Sequence, residues 1–147
     1  MDVIEKEYMI GIDTGTKTGI AVWSNNYQKF LLITTTAIHR ALDMVKQYND
    51  RAGAFVRVED ARKRKFYGSV GCDVLQGVGS VKRDASIWED FLKDLNIDFE
   101  CVHPIKGGTK LNENLFRQAT KWDKKTDQHG RDAAMIVFQF KKTKQLK

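Results

Sequence analysis

Residues 8–23 read YMIGIDTGTKTGIAVW and contain two apolar runs joined by a turn. Their first part is apolar and ends in the carboxylate of Asp13. A turn rich in glycine and threonine follows, and a second apolar run, Ile20–Trp23, comes after it. Two apolar runs joined by such a turn predict a β-hairpin with a loop of several residues.

The rest of the chain alternates between strand and helix patterns. Strands are predicted where short apolar or β-branched runs occur, and helices where apolar residues recur at helical spacing. The predicted elements are a strand at 30–36, a helix at 38–48 capped by Thr36, a strand at 54–59, a helix begun by the capping box Ser86-x-x-Glu89, a strand at 98–102, a helix at 111–122 and a last helix at 132–140. Residues 66–80 are rich in glycine and predict a loop or a broken helix. This order predicts one α/β domain over 1–147, with a five-stranded mixed sheet and helices on both faces.

The composition is typical of a globular protein. Of the 147 residues, 41% are hydrophobic and 30% are charged. No apolar run approaches the roughly 20 residues of a membrane span. The first residues carry acids where a secretory signal would be basic and then apolar. We therefore expect a cytoplasmic protein without a membrane partner, in which Cys72 and Cys101 are free thiols.

A net charge of +6 permits binding to a polyanion without proving it. Basic residues crowd residues 57–65 and again residues 106–125, where they are able to neutralise phosphates or simply face solvent. Two aromatic residues close to the first group are able to stack on unpaired bases or to lie in the core. The predicted nucleic-acid contacts are Arg62, Lys63, Arg64, Lys65, Phe66, Tyr67, Lys82, Arg83, Lys106 and Lys110.

Three acidic residues fall where elements begin or end. Asp13 ends the first predicted strand, Glu59 ends the fourth, and Asp132 begins the last helix. If those two strands are parallel neighbours, their carboxylates lie side by side, and a helix packed across that edge adds the third. Clustered carboxylates resist joint ionisation unless a cation lies among them, and oxygen ligands favour Mg²⁺ or Mn²⁺. Two such ions about 4 Å apart activate a water and stabilise the leaving oxygen of a phosphodiester.

His129 lies three residues before Asp132, so both side chains project from one face of a helix. The imidazole is able to bind a metal ion or to move a proton near neutral pH. Structural roles are the alternative for all four residues. Asp13 would cap a turn, Glu59 would pair with a neighbouring arginine, and the two residues of the last helix would interact with its dipole.

Four segments, taken together and in order, resemble the RuvC-like Holliday junction resolvases. They are Ile10–Val22, Val56–Glu59, Gly77–Ser80 before a helix, and His129–Ala134, and they extend over nearly the whole chain. Two departures from the family pattern occur. Thr14 stands where the family usually has proline, and Ala61-Arg62-Lys63 follows the second acid where many members carry an aromatic wedge.

The resemblance implies a ribonuclease H-like fold and a homodimer that cuts four-way DNA junctions with two Mg²⁺ ions, for which Mn²⁺ would substitute. Its catalytic and metal-binding residues would be Asp13, Glu59, His129 and Asp132.

Other readings of the same residues stay open. A YqgF-type relative, linked to RNA processing, has a similar fold and often opens with the Asp-x-Gly-Thr-Lys string found here. A basic nucleic-acid-binding module with purely structural acids is a non-enzymatic alternative. The opening string also resembles the first phosphate loop of actin-like sugar kinases, but those need two such domains, which 147 residues do not provide.

Overall fold

A five-stranded mixed sheet forms the centre of the fold in the computed structural model, which describes residues 6–60, 72–103 and 111–145, with side chains at 6–60, 82–103 and 111–138. The strands are β1 (Tyr8–Asp13), β2 (Lys17–Ser24), β3 (Lys29–Ala37), β4 (Ala54–Glu59) and β5 (Asp98–Val102). Their order across the sheet is β3-β2-β1-β4-β5. The pairs β1–β2 and β2–β3 are antiparallel, whereas β1–β4 and β4–β5 are parallel. The predicted sheet is therefore confirmed.

Helices cover both faces of the sheet, as predicted. They are α1 (Ile38–Ala52), α2 (Cys72–Asp94), α3 (Glu113–Thr120) and α4 (Gln128–Gln145). On one face, α1 and α2 bury Val45 and Trp88 against the sheet. On the other face, α4 buries Ala133 and Val137, and α3 adds Phe116 to the same cluster. Within the described ranges, no helix is long and apolar enough to cross a membrane.

Alternation along β1 divides its side chains between the two faces of the sheet. Side chains of a strand point to opposite faces in turn. Ile10 and Ile12 belong to the cluster under α1 and α2. Met9 belongs to the cluster under α4, and Gly11 and Asp13 therefore face α4 as well. The carboxylate that ends β1 is thus directed to the helix that carries His129 and Asp132.

Two glycines let the backbone of α4 lie directly on the sheet. A Cβ atom built on Gly11 would lie 2.0 Å from the carbonyl oxygen of Ala133. One built on Gly19 would lie 2.1 Å from the carbonyl oxygen of His129. Both distances are far below any real Cβ contact, so a side chain at either position would force α4 away from the sheet. We call this pair of positions the glycine notch.

The ends of the first two helices differ from the sequence prediction. α1 continues to Ala52, and its N-cap residue is Ala37, which makes no side-chain cap bond, so the assignment of the cap to Thr36 was wrong. Ser86 was also wrongly placed at a helix start. It lies within α2 and its hydroxyl donates back to the carbonyl of Lys82. A Ser-x-x-Glu spacing therefore occurs inside a helix as readily as at its start.

α2 is continuous from Cys72, so the glycine-rich part of residues 72–80 is helical rather than a loop. Each glycine costs about 1 kcal/mol relative to alanine in a helix, which is why composition predicted a break there. Residues 66–71 lie outside the described residues. Cys101 is half-buried and carries a thiol rather than a disulfide, as predicted, whereas the side chain of Cys72 is not among those described.

α4 begins four residues earlier than predicted because Asp127 caps it. The Asp127 carboxylate accepts a hydrogen bond from the Gly130 N–H at 2.9 Å, and its carbonyl accepts from the Arg131 N–H at 3.1 Å. The Thr35 hydroxyl of β3 donates to the same carboxylate. The cap therefore also attaches the start of α4 to the edge of the sheet.

Replacing either glycine of the notch by alanine should destabilise the fold. Gly11→Ala and Gly19→Ala should each lower the free energy of unfolding by at least the roughly 1–3 kcal/mol typical of overpacking, because the new methyl group meets backbone rather than a flexible side chain. Gly130→Ala is the matched control, since its Cβ would come no closer than 3.2 Å to the Ile33 side chain, 3.4 Å to an Asp127 carboxylate oxygen and 3.7 Å to the Thr34 carbonyl oxygen. Urea unfolding of the three variants measures the effect, and equal stabilities would contradict the close contact.

Acid should weaken the cap of α4. Burial raises the pKa of the Asp127 carboxyl, but the bonds from Thr35 and Gly130, with His129 and Arg131 nearby, outweigh it and lower that pKa below its usual value. A carboxyl with a lowered pKa stabilises the fold above its unfolded value of about 3.9, and this contribution is lost as the pH falls through the folded pKa.

Asp127→Asn keeps a capping oxygen and removes the titration. The stability difference between the wild type and this variant should therefore shrink as the pH falls from about 6 to about 2. Urea unfolding at several pH values measures this difference. If it stays constant across the range, the Asp127 carboxylate contributes nothing through its charge.

Candidate active site

The carboxyl ends of β1 and β4 bring two of the predicted acids side by side. In the parallel pairing Ile12 lies opposite Val58, so Asp13 and Glu59 are the next residues on neighbouring strands. The Thr14 hydroxyl donates to the Glu59 carbonyl at 3.1 Å and links the two strand ends. A proline at position 14 could not make this bond, because it has no hydroxyl.

His129 contacts Asp13 directly across the notch. Its Nδ1 lies 3.0 Å from Asp13 Oδ2, and the two residues are 116 positions apart in the chain. The Asp13 side chain is only 12% exposed, whereas that of His129 is 50% exposed. With one ring nitrogen turned to the carboxylate, Nε2 is left as the nitrogen able to exchange a proton with a bound molecule.

Asp132 lies on the same helix face as His129 and is almost fully buried, at 6% exposure. The Gln128 side-chain amide donates to Asp132 Oδ1 at 2.7 Å and orients the carboxylate. Asp132 also lies one helical turn before Ile136, whose carbonyl accepts a bond from Arg57 of β4. This places Asp132 on the side of α4 that faces β4, the strand that ends in Glu59.

The four predicted residues thus lie around one edge of the sheet, and the donor types suit a hard divalent ion. Carboxylate oxygens from a strand, a neighbouring strand and a helix are the ligands that Mg²⁺ and Mn²⁺ prefer. Among the described residues, however, no three His, Cys, Asp or Glu side chains converge closely enough to hold one ion. Gln128 instead bonds one oxygen of Asp132, and His129 bonds one oxygen of Asp13.

Sequence patterns did not identify several residues that surround this site. Asp127 and Gln128 begin α4, and the only signal for them was an aspartate three residues before a glycine. Asp60 follows Glu59 and is buried at 3% exposure, with its backbone N–H donating to Val102 of β5 at 2.8 Å. Two consecutive acids after an apolar strand were the available signal for it. Arg57 was assigned only to a basic cluster, although it contacts α4.

The predicted nucleic-acid contacts are only partly described. Lys82 and Arg83 are exposed on α2, as a binding role requires. The crossover from β4 to its parallel neighbour β5 runs back along the sheet, so the first half of α2 lies toward the edge where β4 ends. The other predicted contacts lie outside the described residues: Arg62, Lys63, Arg64, Lys65, Phe66, Tyr67, Lys106 and Lys110.

Comparison with known proteins identifies the fold. The sequence matches no protein-family model and no curated protein sequence. The structure does match solved structures, among them T. thermophilus RuvC in complex with Holliday junction substrate. The TM-score is 0.62 at 15% identity, over 95% of this chain and 96% of that chain. At this identity the likeness shows the fold alone. The chain therefore has the ribonuclease H-like architecture of RuvC, as its sequence motifs predict.

Proposed function

We propose that the protein is a metal-dependent endonuclease that cuts branched DNA, with four-way junctions as its main substrate. The observation that carries the proposal is the contact of His129 with Asp13, at the edge where Glu59 also ends its strand. The fold supports the substrate class, because the RuvC structure that shares it holds a Holliday junction.

Asp13, Glu59 and Asp132 are the residues that would hold Mg²⁺, as two ions, or Mn²⁺ in its place. Bound there, the metal would supply an activated water and stabilise the leaving oxygen of a phosphodiester. The burial of Asp13 and Asp132 favours such a role. Carboxylate oxygens held away from bulk water are ligands that a hard cation prefers.

His129 would move a proton at Nε2. Asp13 orients the ring through Nδ1, so the outward nitrogen keeps one direction relative to the strand ends. The half-exposed ring is accessible to a bound nucleic acid, whereas Asp13 beneath it is not. The imidazole is also a ligand that Mn²⁺ accepts more readily than Mg²⁺ does, so the two metals should differ in their need for His129.

DNA would bind across the edge of the sheet that carries these residues. The net charge of +6 favours a polyanionic partner, and Lys82 and Arg83 are exposed near the middle of α2, whose first half lies toward that edge. A four-way junction presents two equivalent strands to be cut, and a two-fold homodimer would present two equivalent sites. We therefore include a homodimer in the proposal.

Removing the carboxylates should abolish cleavage. Asp13→Asn and Asp132→Asn should each be close to inactive with Mg²⁺ and with Mn²⁺, because an amide does not replace a carboxylate as a ligand of hard ions. His129→Ala should lower the cleavage rate by about 10²–10⁴-fold, as is typical when a general acid or base is removed. The assay compares cleavage of four-way junction, flap, duplex and single-stranded DNA and of RNA side by side, and a reaction with EDTA is the metal-free control.

Asp50→Asn is the matched control, because this exposed carboxylate pairs with Lys46 on α1, away from the site. It should cleave like the wild type. Cleavage of RNA but not of junction DNA would replace the proposal by an RNA-processing nuclease. Binding without cleavage under any metal would leave a nucleic-acid-binding module, and full activity of Asp13→Asn would remove the assigned site.

Lys82 and Arg83 should contribute to the salt dependence of DNA binding. Replacing both by alanine, in an Asp13→Asn background that does not cut, should reduce the slope of log K against log salt by about 0.9 for each phosphate that is no longer neutralised. The control variant replaces Lys29 and Arg51 by alanine. Both residues are exposed at the opposite edge of the sheet, so their replacement should leave the slope unchanged. Equal slopes for both double variants would mean that α2 does not contact DNA.

A further inference from the structure

We propose that Arg57 is a positioning residue that fixes α4 on the sheet and so holds His129 and Asp132 beside Asp13 and Glu59. The inference deepens the nuclease function and rests on it, but the contact that it concerns is measurable without any substrate.

Arg57 lies in the sheet directly beside the glycine notch. The strand registers pair Ala21 with Gly11, Gly11 with Arg57, and Arg57 with Glu100, which forms one row across four strands. Gly11 of this row faces Ala133 of α4, so Arg57 extends on the same face. Asp13 lies two residues further along β1, about 7 Å away at the rise of a strand.

The guanidinium of Arg57 joins β5 to the backbone of α4. Its Nε donates to Glu100 Oε1 at 2.6 Å, and its NH1 donates to the carbonyl oxygen of Ile136 at 2.7 Å. The side chain is only 17% exposed. Because the guanidinium is planar and its donors form a rigid fork, the bond to Glu100 determines where NH1 points. The contact with Ile136 is therefore directional.

The Arg57 bond adds a directional contact on the β4 side of α4. The glycine notch and the buried side chains of Ala133 and Val137 set how closely the helix approaches β1 and β2. Ile136 lies one turn after Asp132, so a rotation that breaks the Arg57 bond also displaces Asp132 and the His129 ring. A displacement of about 1 Å at a reacting group is enough to cost up to 10²-fold in rate.

Two substitutions of Arg57 and one control separate positioning from stability. Arg57→Met keeps a long apolar side chain and removes both bonds, whereas Arg57→Lys keeps the charge without the fork. Val45→Ala is the control, since Val45 is fully buried between α1 and the other face of the sheet. It should lower Tm without disturbing α4.

The first readout is the tautomer of His129 in metal-free protein, observed by ¹⁵N NMR of the neutral ring. The contact with Asp13 should keep the proton on Nδ1 in the wild type and in Val45→Ala. Arg57→Met should shift the ring toward a mixture of tautomers. If Arg57→Met does not fold, Glu100→Gln tests the same idea, because it weakens the bond that aims the guanidinium and should cause a smaller shift in the same direction.

The second readout is cleavage of junction DNA below every Tm. Arg57→Met should lower kcat by at least about tenfold with KM little changed. The kcat of Arg57→Lys should lie between those of Arg57→Met and the wild type, and Val45→Ala should keep the wild-type kcat. The proposal is overturned if Arg57→Met keeps both the wild-type tautomer and the wild-type kcat. It is also overturned if Arg57→Met and Val45→Ala lose equal amounts of Tm and of kcat and neither changes the tautomer of His129. If the wild type cuts nothing, the nuclease function fails, and the tautomer alone decides the role of Arg57.

Discussion

The candidate site is built on backbone-to-backbone contact between α4 and the first two strands. The carbonyl oxygens of His129 and Ala133 occupy the space that side chains at Gly19 and Gly11 would need. At this separation the His129 side chain reaches the carboxylate at the end of β1. With larger residues in the notch, α4 would stand further from the sheet and His129 would lie beyond hydrogen-bonding distance of Asp13.

Polar contacts around the notch then determine the orientation of the helix. Asp127 caps α4 and is bonded by Thr35 of β3, while Arg57 of β4 reaches Ile136 from the other side. Gln128 orients the carboxylate of Asp132. Each of these contacts would be lost if the helix moved or turned, so together they disfavour other positions of the helix. A single helix therefore attaches the candidate site to the two strands that flank β1 and β2, namely β3 and β4.

Strand positions and the two strand-end acids were predictable because they rest on local patterns. The apolar run that ends in Asp13 and the one that ends in Glu59 each show a strand whose carboxyl end carries an acid, and parallel pairing brings those ends together. Helix starts were less predictable. The Ser86-x-x-Glu89 spacing lies inside α2, and the cap at Asp127 depends partly on Thr35, 92 residues earlier. The role of Arg57 was not predictable, since its acceptor on α4 lies 79 residues away and is a backbone carbonyl that no side-chain pattern reveals.

We propose that this helix and these strand ends together form a metal centre. Anomalous scattering from a crystal equilibrated with millimolar Mn²⁺ is the decisive experiment, because it locates the ion without reference to activity. We expect Mn²⁺ bound by oxygens of Asp13, Glu59 and Asp132. Well-ordered side chains at this edge with no Mn²⁺ among them, or Mn²⁺ bound only elsewhere, would contradict it.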